Sequence, residues 1–333
     1  MSPARAVLLV FALLAGAFLL PSPSPAAGPV SLPALAPLPL PTSPPENPTT
    51  PEKVNLGKML FFDRRLSGDG TMNCATCHDP ENGFADALPI SLSYPTTRNW
   101  RNSPGLVNVA YRKTLFHDGR ATSLEEQALF PMVSPFERNR NLDYLEEVLK
   151  TVPAYVEAFQ AVFGGEITRQ RVAMAIAAFE RTLLSRDTPL DRHLRGEPGA
   201  LSARQRAGLA LFLGKVSGFP DYRTLREDPG HFLVTKDPAD WKAFATPSLR
   251  EVAATAPYMH NGALPTLVEV IEFYDRGGQR RPEEIAPVAA PRPVEGGKGV
   301  PPGVPRHRAI GENAEVPPAR HPLMRLYGET DQG

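Results

Sequence analysis

The sequence predicts a mostly α fold with long loops. Apolar residues recur at helical spacing through the middle of the chain. No segment alternates apolar and polar residues as a half-buried strand would. Gly, Asn, Asp and Pro gather between the helical patterns. The first helix is expected to open at Pro51 and run through Phe62, with Thr50 as its cap and Pro51 in the first turn, where a missing N–H leaves no bond unmade. Residues 66–108 read as loop. Ser123 caps the next helix, and Glu126 three residues on completes a capping box. Residues 142–150 and 153–163 continue the helical pattern. The strongest pattern is at 168–185, where Val172, Ile176, Phe179 and Leu183 share one face and Arg169, Arg171, Glu180 and Arg181 take the others. Segments 202–213 and 266–274 close the set.

The chain has 333 residues, which suits roughly two domains. Its 36 Lys and Arg balance 36 Asp and Glu, so it lacks the basic excess of a nucleic-acid binder. Most of the 38 prolines lie outside the body, crowded into 21–51 and 279–333, where no hydrophobic period survives; these stretches read as a linker and a tail. No repeat of solenoid period is visible. At the N-terminus Arg5 precedes an apolar run over 6–20, short for a membrane span, and small residues end near Ala26. A secretory signal over 1–26 is expected, with an uncleaved anchor as the alternative. The mature chain is then periplasmic and has no stable membrane span. The expected organisation is signal 1–26, linker 27–50, a first unit at 51–165, a second at 166–278 and a tail at 279–333.

The two cysteines, Cys74 and Cys77, are too few for a disulfide framework or a four-cysteine metal site. They fall in Cys74-Ala75-Thr76-Cys77-His78, a C-x-x-C-H motif. Two thiols at this spacing can add to the two vinyl groups of one haem, and the adjacent His78 can then meet the iron. A redox dithiol would not need the histidine, and half a zinc site would need ligands the cysteine count does not supply. One covalently bound haem c, held by Cys74, Cys77 and His78, is therefore expected.

The surroundings carry more. Leu66-Ser67-Gly68-Asp69-Gly70 precedes the motif and Gly83-Phe84-Ala85-Asp86 follows it. Arg101-Asn102-Ser103-Pro104, Phe116-His117-Asp118-Gly119-Arg120, Thr246-Pro247-Ser248-Leu249-Arg250 and Pro257-Tyr258-Met259-His260-Asn261-Gly262 come later. Together these blocks closely resemble the bacterial di-haem cytochrome c peroxidase family, its MauG-like branch especially, over about residues 51–278. The resemblance implies two cytochrome-c-like helical domains. It implies His78 as proximal ligand of a peroxide-reactive haem and Glu137 as the acid/base group. Gln127 and Pro131 would line the same pocket. The Asn102 side chain and the Thr255 and Pro257 carbonyls would hold a calcium ion between the domains, oxygen ligands for a hard cation. Hydrogen peroxide, a small donor protein such as a cytochrome c, and a homodimer are the partners it implies.

The chain also departs from the family. No histidine stands in the 94–100 loop, so the iron's distal position is expected to be open, with Tyr94 or Arg98 nearby. The second C-x-x-C-H, due after Lys215, is missing. Tyr274, which matches an iron ligand of the MauG branch, then reads as a core tyrosine, and His260 as structural. His117 stands where the family commonly has tryptophan. A peroxide-reducing haem oxidoreductase is expected. The alternative is a mono-haem electron-transfer cytochrome or a degenerate member without turnover.

Overall fold

The computed structural model describes residues 35–275, apart from Thr96, Arg98 and 216–227. The expected signal, the tail, Arg98 and the stretch after Lys215 lie outside the described residues. Nine helices follow in order among them: α1 Pro51–Phe61, α2 Leu124–Val133, α3 Leu142–Lys150, α4 Pro153–Phe163, α5 Arg169–Glu180, α6 Pro189–Leu194, α7 Ala203–Lys215, α8 Phe232–Thr235 and α9 Leu267–Asp275. Short 3-10 turns and isolated β-bridges occupy the loops. The mostly α reading stands. No helix of the described residues is long and apolar enough to cross a membrane.

Local chemistry sets the helix ends. The Thr50 hydroxyl accepts from Lys53 N, and Asn141 Oδ1 accepts from Tyr144 N at 2.9 Å, each satisfying a first-turn N–H. Gly164 ends α4 in the left-handed region at φ 70°. The capping box expected at α2 is only half made. Ser123 Oγ accepts from Glu126 N at 3.1 Å, but the Glu126 carboxylate accepts from Thr122 N instead of reaching back to Ser123.

The core lies where α5 crosses α1 and α2. Leu56, Leu60, Phe61, Val172, Ile176 and Phe179 are almost fully buried there, each contributing about 1.5–3 kcal/mol by leaving water. Phe61 meets Phe179 edge to face at 5.2 Å. The two backbones come very close: a Cβ on Gly57 would sit 1.9 Å from Ala175 O. This enclosure corrects the reading of 168–185. The helix ends at Glu180, and Glu180 and Arg181 are buried at 4 % and 7 % exposure. With neighbours on both sides at its C-terminal end, even Glu180 and Arg181 face protein, while Gln170 in the first turn stays exposed; Arg181 pairs with Glu125 at 2.7 Å. It also places α5, expected in the second unit, inside the core that α1 begins and Leu183 ends.

A repeat runs across the molecule. Residues 103–124 and 246–267 share Ser/Thr-Pro, Leu, Val-Ala, His, Gly and Ser/Thr-Leu at matching positions. Their backbones match as well. Left-handed Asn108 and Glu251 each precede a 3-10 turn, Val109–Tyr111 and Val252–Ala254. Phe116 and Met259 both take positive φ, as do Gly119 and Gly262. Antiparallel bridges join Leu115 to Ala121 and Tyr258 to Leu264, and α2 and α9 follow. The copies exchange bonds: Asn102 N donates to His260 O at 2.7 Å, and Ala245 N to His117 O at 2.8 Å. Ser185 joins both, its N–H donating to Asn108 Oδ1 and its hydroxyl to Glu251 Oε1.

Candidate functional site

The Cys74-Cys77-His78 loop leaves α1 through a series of small turns. Asp63 caps the 3-10 turn Arg64–Leu66, and Asp69 accepts from Ser67 and Thr71. Asn73 then forms a capping box with Thr76 over the turn Cys74–Thr76, and its Nδ2 donates to Phe62 O at 2.7 Å, tying the turn to the end of α1. Both thiols are free. Cys74 is buried and Cys77 half-buried. Burial pushes both thiols up, Cys77 to about 12, with the charges of Asp86 and Glu137 adding to it.

His78 is oriented as a metal ligand is. Its Nδ1 lies 2.9 Å from Phe84 O, which can only accept, so Nδ1 carries the proton and Nε2 keeps its lone pair. Left-handed Gly83 and Phe84 turn that carbonyl toward the ring. Ser103 Oγ stands 3.2 Å from the same nitrogen while donating to Cys77 O. Burial holds the imidazole down at about 4, so it is neutral near pH 7. Two unjoined thiols and a neutral imidazole with Nε2 available fit a covalent haem: Cys74 and Cys77 would hold it and His78 would ligate the iron.

A separate wall comes from the end of α2 and the 134–140 loop, tied to the Cys74 loop by Arg138. Gln127 and Pro131 lie one turn apart on α2, and Pro131 O accepts from Arg138 N at 3.2 Å, which folds the Glu137 segment back over the helix. Tyr94 N donates to Phe136 O at 2.9 Å, so the 94 loop is pinned to the same wall. Trp100 packs edge-on against Phe136 at 5.2 Å, and both rings are exposed. Sequence reasoning missed three residues here. Arg138 is buried and donates from Nη1 to Cys74 Sγ at 3.2 Å. Ser103 supports His78. Glu180, buried on α5, is pushed up to about 8, burial outweighing the charges of Arg138 and Arg181. Only the position of Arg138 beside Glu137 hinted at its part.

Asn102 and Thr255 both lie at the seam between the repeats, Asn102 against His260 and Thr255 against Gly83 and Gly105. Asn102 Nδ2 donates to Leu88 O at 2.6 Å, which leaves Oδ1 facing outward from that bond. The Thr255 methyl lies against Gly83 and Gly105, and Pro257 follows a cis peptide bond. Among the described residues no donor meets the carbonyls of Thr255 or Pro257, and no cluster of three His, Cys, Asp or Glu is found. His117 and His260 stand 6.5 Å apart at this seam, and His260 is buried and stacked on Phe244. Tyr274, expected in the core, is half-buried beside Phe273.

The family model for di-haem cytochrome c peroxidase matches residues 51–199, and one for RoxA-like, cytochrome c-like sequences matches 243–279. The chain is 40% identical over 294 residues to the cytochrome-c peroxidase IdrP1 of Pseudomonas sp. (strain SCT), covering 74% of this chain and 78% of that one. It is 40% identical over 257 residues to the methylamine utilization protein MauG of Methylorubrum extorquens, covering 72% and 73%. It is 34% identical over 270 residues to the cytochrome c551 peroxidase of Pseudomonas aeruginosa, covering 73% and 78%. Among solved structures, a MauG-like protein associated with microbial copper homeostasis superposes with a TM-score of 0.68 at 30% identity, over 76% of this chain and 84% of that one.

Proposed function

The chain belongs to the di-haem cytochrome c peroxidase family, and from that premise we propose a periplasmic enzyme with one covalent haem c that reduces hydrogen peroxide with electrons from a small donor such as a cytochrome c. The observation that carries the reading is His78 with Nδ1 committed to Phe84 O beside two free thiols. The haem, once bound, supplies the redox chemistry that breaks the O–O bond. The chain's own residues manage protons and water. The Glu137 carboxylate takes a proton from one peroxide oxygen and returns it to the other. Gln127 and Pro131 shape the wall it stands on. Division into two cytochrome-c-like domains, the second without its motif, is supported by the repeat. A calcium ion on Asn102, Thr255 and Pro257 would tie the halves together.

The single C-x-x-C-H favours a second reading, a mono-haem electron carrier without turnover. Haem stoichiometry by pyridine haemochrome and intact mass counts the cofactor; peroxide consumption then separates the readings. Glu137→Gln is expected to slow consumption about 100-fold or more. Equal rates in the two forms would remove Glu137 from the mechanism, and no consumption by the native haem protein would leave the carrier.

A further inference from the structure

The repeat has two seams, and they are filled differently. On one, the Thr255 methyl closes the groove at the haem-attachment loop, its Cγ2 2.8 Å from where a Cβ on Gly105 would lie and 3.1 Å from one on Gly83. On the other, the repeat sets Arg112, the counterpart of Thr255, beside Ser248, the counterpart of Gly105. There the structure holds a cavity of about 380 Å³. Arg112, Lys113 and Thr114 line it from the first copy and Thr246, Ser248 and Arg250 from the second.

Its charge is one-sided, for no carboxylate is among the described residues that line it. Arg250 is committed to Asp191 behind it, in a bidentate pair at 2.6 and 2.8 Å. Arg112 is half-buried, and burial, with no opposing carboxylate, lowers its guanidinium below the ordinary arginine value. Lys113 stands exposed at the rim. A partly buried cation without a counter-charge is unfavourable until an anion supplies one. The planar guanidinium fork matches a carboxylate or phosphate, and threonine and serine hydroxyls can bond further oxygens. The volume falls in the range of organic-ligand sites, above what a lone inorganic ion needs.

We propose that this cavity binds a small organic anion bearing at least two carboxylates or one phosphate group, anchored by Arg112 with Lys113 at the mouth. The site is independent of peroxide chemistry, and its test reads binding rather than turnover. The haem-loaded full-length chain is titrated calorimetrically with citrate, glycerol 2-phosphate and acetate at matched ionic strength. Saturable binding of citrate or glycerol 2-phosphate, about tenfold or more tighter than acetate, is expected, and the two arms tell carboxylate from phosphate. Arg112→Gln should weaken it about tenfold or more. Lys113→Ala, at an exposed position that folding does not depend on, should weaken it about threefold and flatten its salt dependence. No saturable binding by the native chain, or native affinity in both variants, overturns the proposal.

Discussion

In the frame at 103–124, Leu106, Val109, Leu115 and Leu124 are all buried. Their counterparts in the frame at 246–267 are not: Leu249 is 59% exposed, and Val252, Tyr258 and Leu267 are only half-buried. The backbones of the two copies agree down to the left-handed residues, the bridge and the capped helix that follows. The difference is in what covers them. Local chemistry, through caps and positive-φ positions, is enough to shape the frame. Burial of its apolar face needs the α1–α5 core, which only the first copy joins among the described residues. Geometry and stability are therefore separable here, and the two copies measure each.

The largest effect that would break this comparison is at the loop itself. Changing both Cys74 and Cys77 to Ser should remove all covalent haem and with it peroxide consumption, read by intact mass and pyridine haemochrome. Retained covalent haem would place attachment elsewhere and undo the assignment. Next, Gly57→Ala puts a methyl into the Ala175 carbonyl and should destabilise the chain by about 3 kcal/mol in urea unfolding. A change below about 1 kcal/mol would mean that the close approach of α1 and α5 is not what holds the first half.

A pH series sharpens the seam. Burial holds the imidazoles of His117 and His260 at about 4, against about 6.5 in an unfolded chain. Between those values the unfolded chain binds more protons. The stability gained from keeping both rings neutral is therefore complete above about pH 6.5 and falls as the pH drops toward about 4. Arg101, Arg112, Asp118 and Asp228 surround the pair and set its local field. The urea midpoint should be lower at about pH 5 than at about pH 7.5, and His117→Asn should shrink the gap. A gap of unchanged size would exclude His117 as a source. The smallest effect lies in the second half: Gly208 is exposed within α7 with open space around it, so Gly208→Ala should stabilise by about 0.5–1 kcal/mol, the opposite sign to Gly57→Ala. Destabilisation there would show a packing surface on α7.

Much of this was legible in the sequence, for reasons that differ by residue. Helices α3 and α4 fall where their periods place them, because Asn141, Pro153 and Gly164 punctuate them. Cys74, Cys77 and His78 are picked out by their spacing, and the fold keeps the two thiols unjoined and the His78 Nδ1 on Phe84 O. Glu180 and Arg181 were misread because periodicity sees one partner face, and α5 has two. Arg138 was invisible because its role depends on the 134–140 loop folding back to Cys74, a contact sixty-four positions apart in the chain. The match between the two frames hides in single-letter identities too sparse to notice until their shared dihedrals are seen.

Helix α5 has one more consequence, for modularity. It follows the first haem-loop unit in the chain, yet it supplies the surface on which α1 closes. A fragment ending at 165 would strip the α5 side from Leu60, Phe61 and the Gly57 groove, leaving α1 only α4 and Phe84 to fold against. The shortest autonomous piece must extend past Ser185, the residue that bonds to both frames. Protease nicks or domain grafts placed at the apparent midpoint would cut through a core, not between two modules.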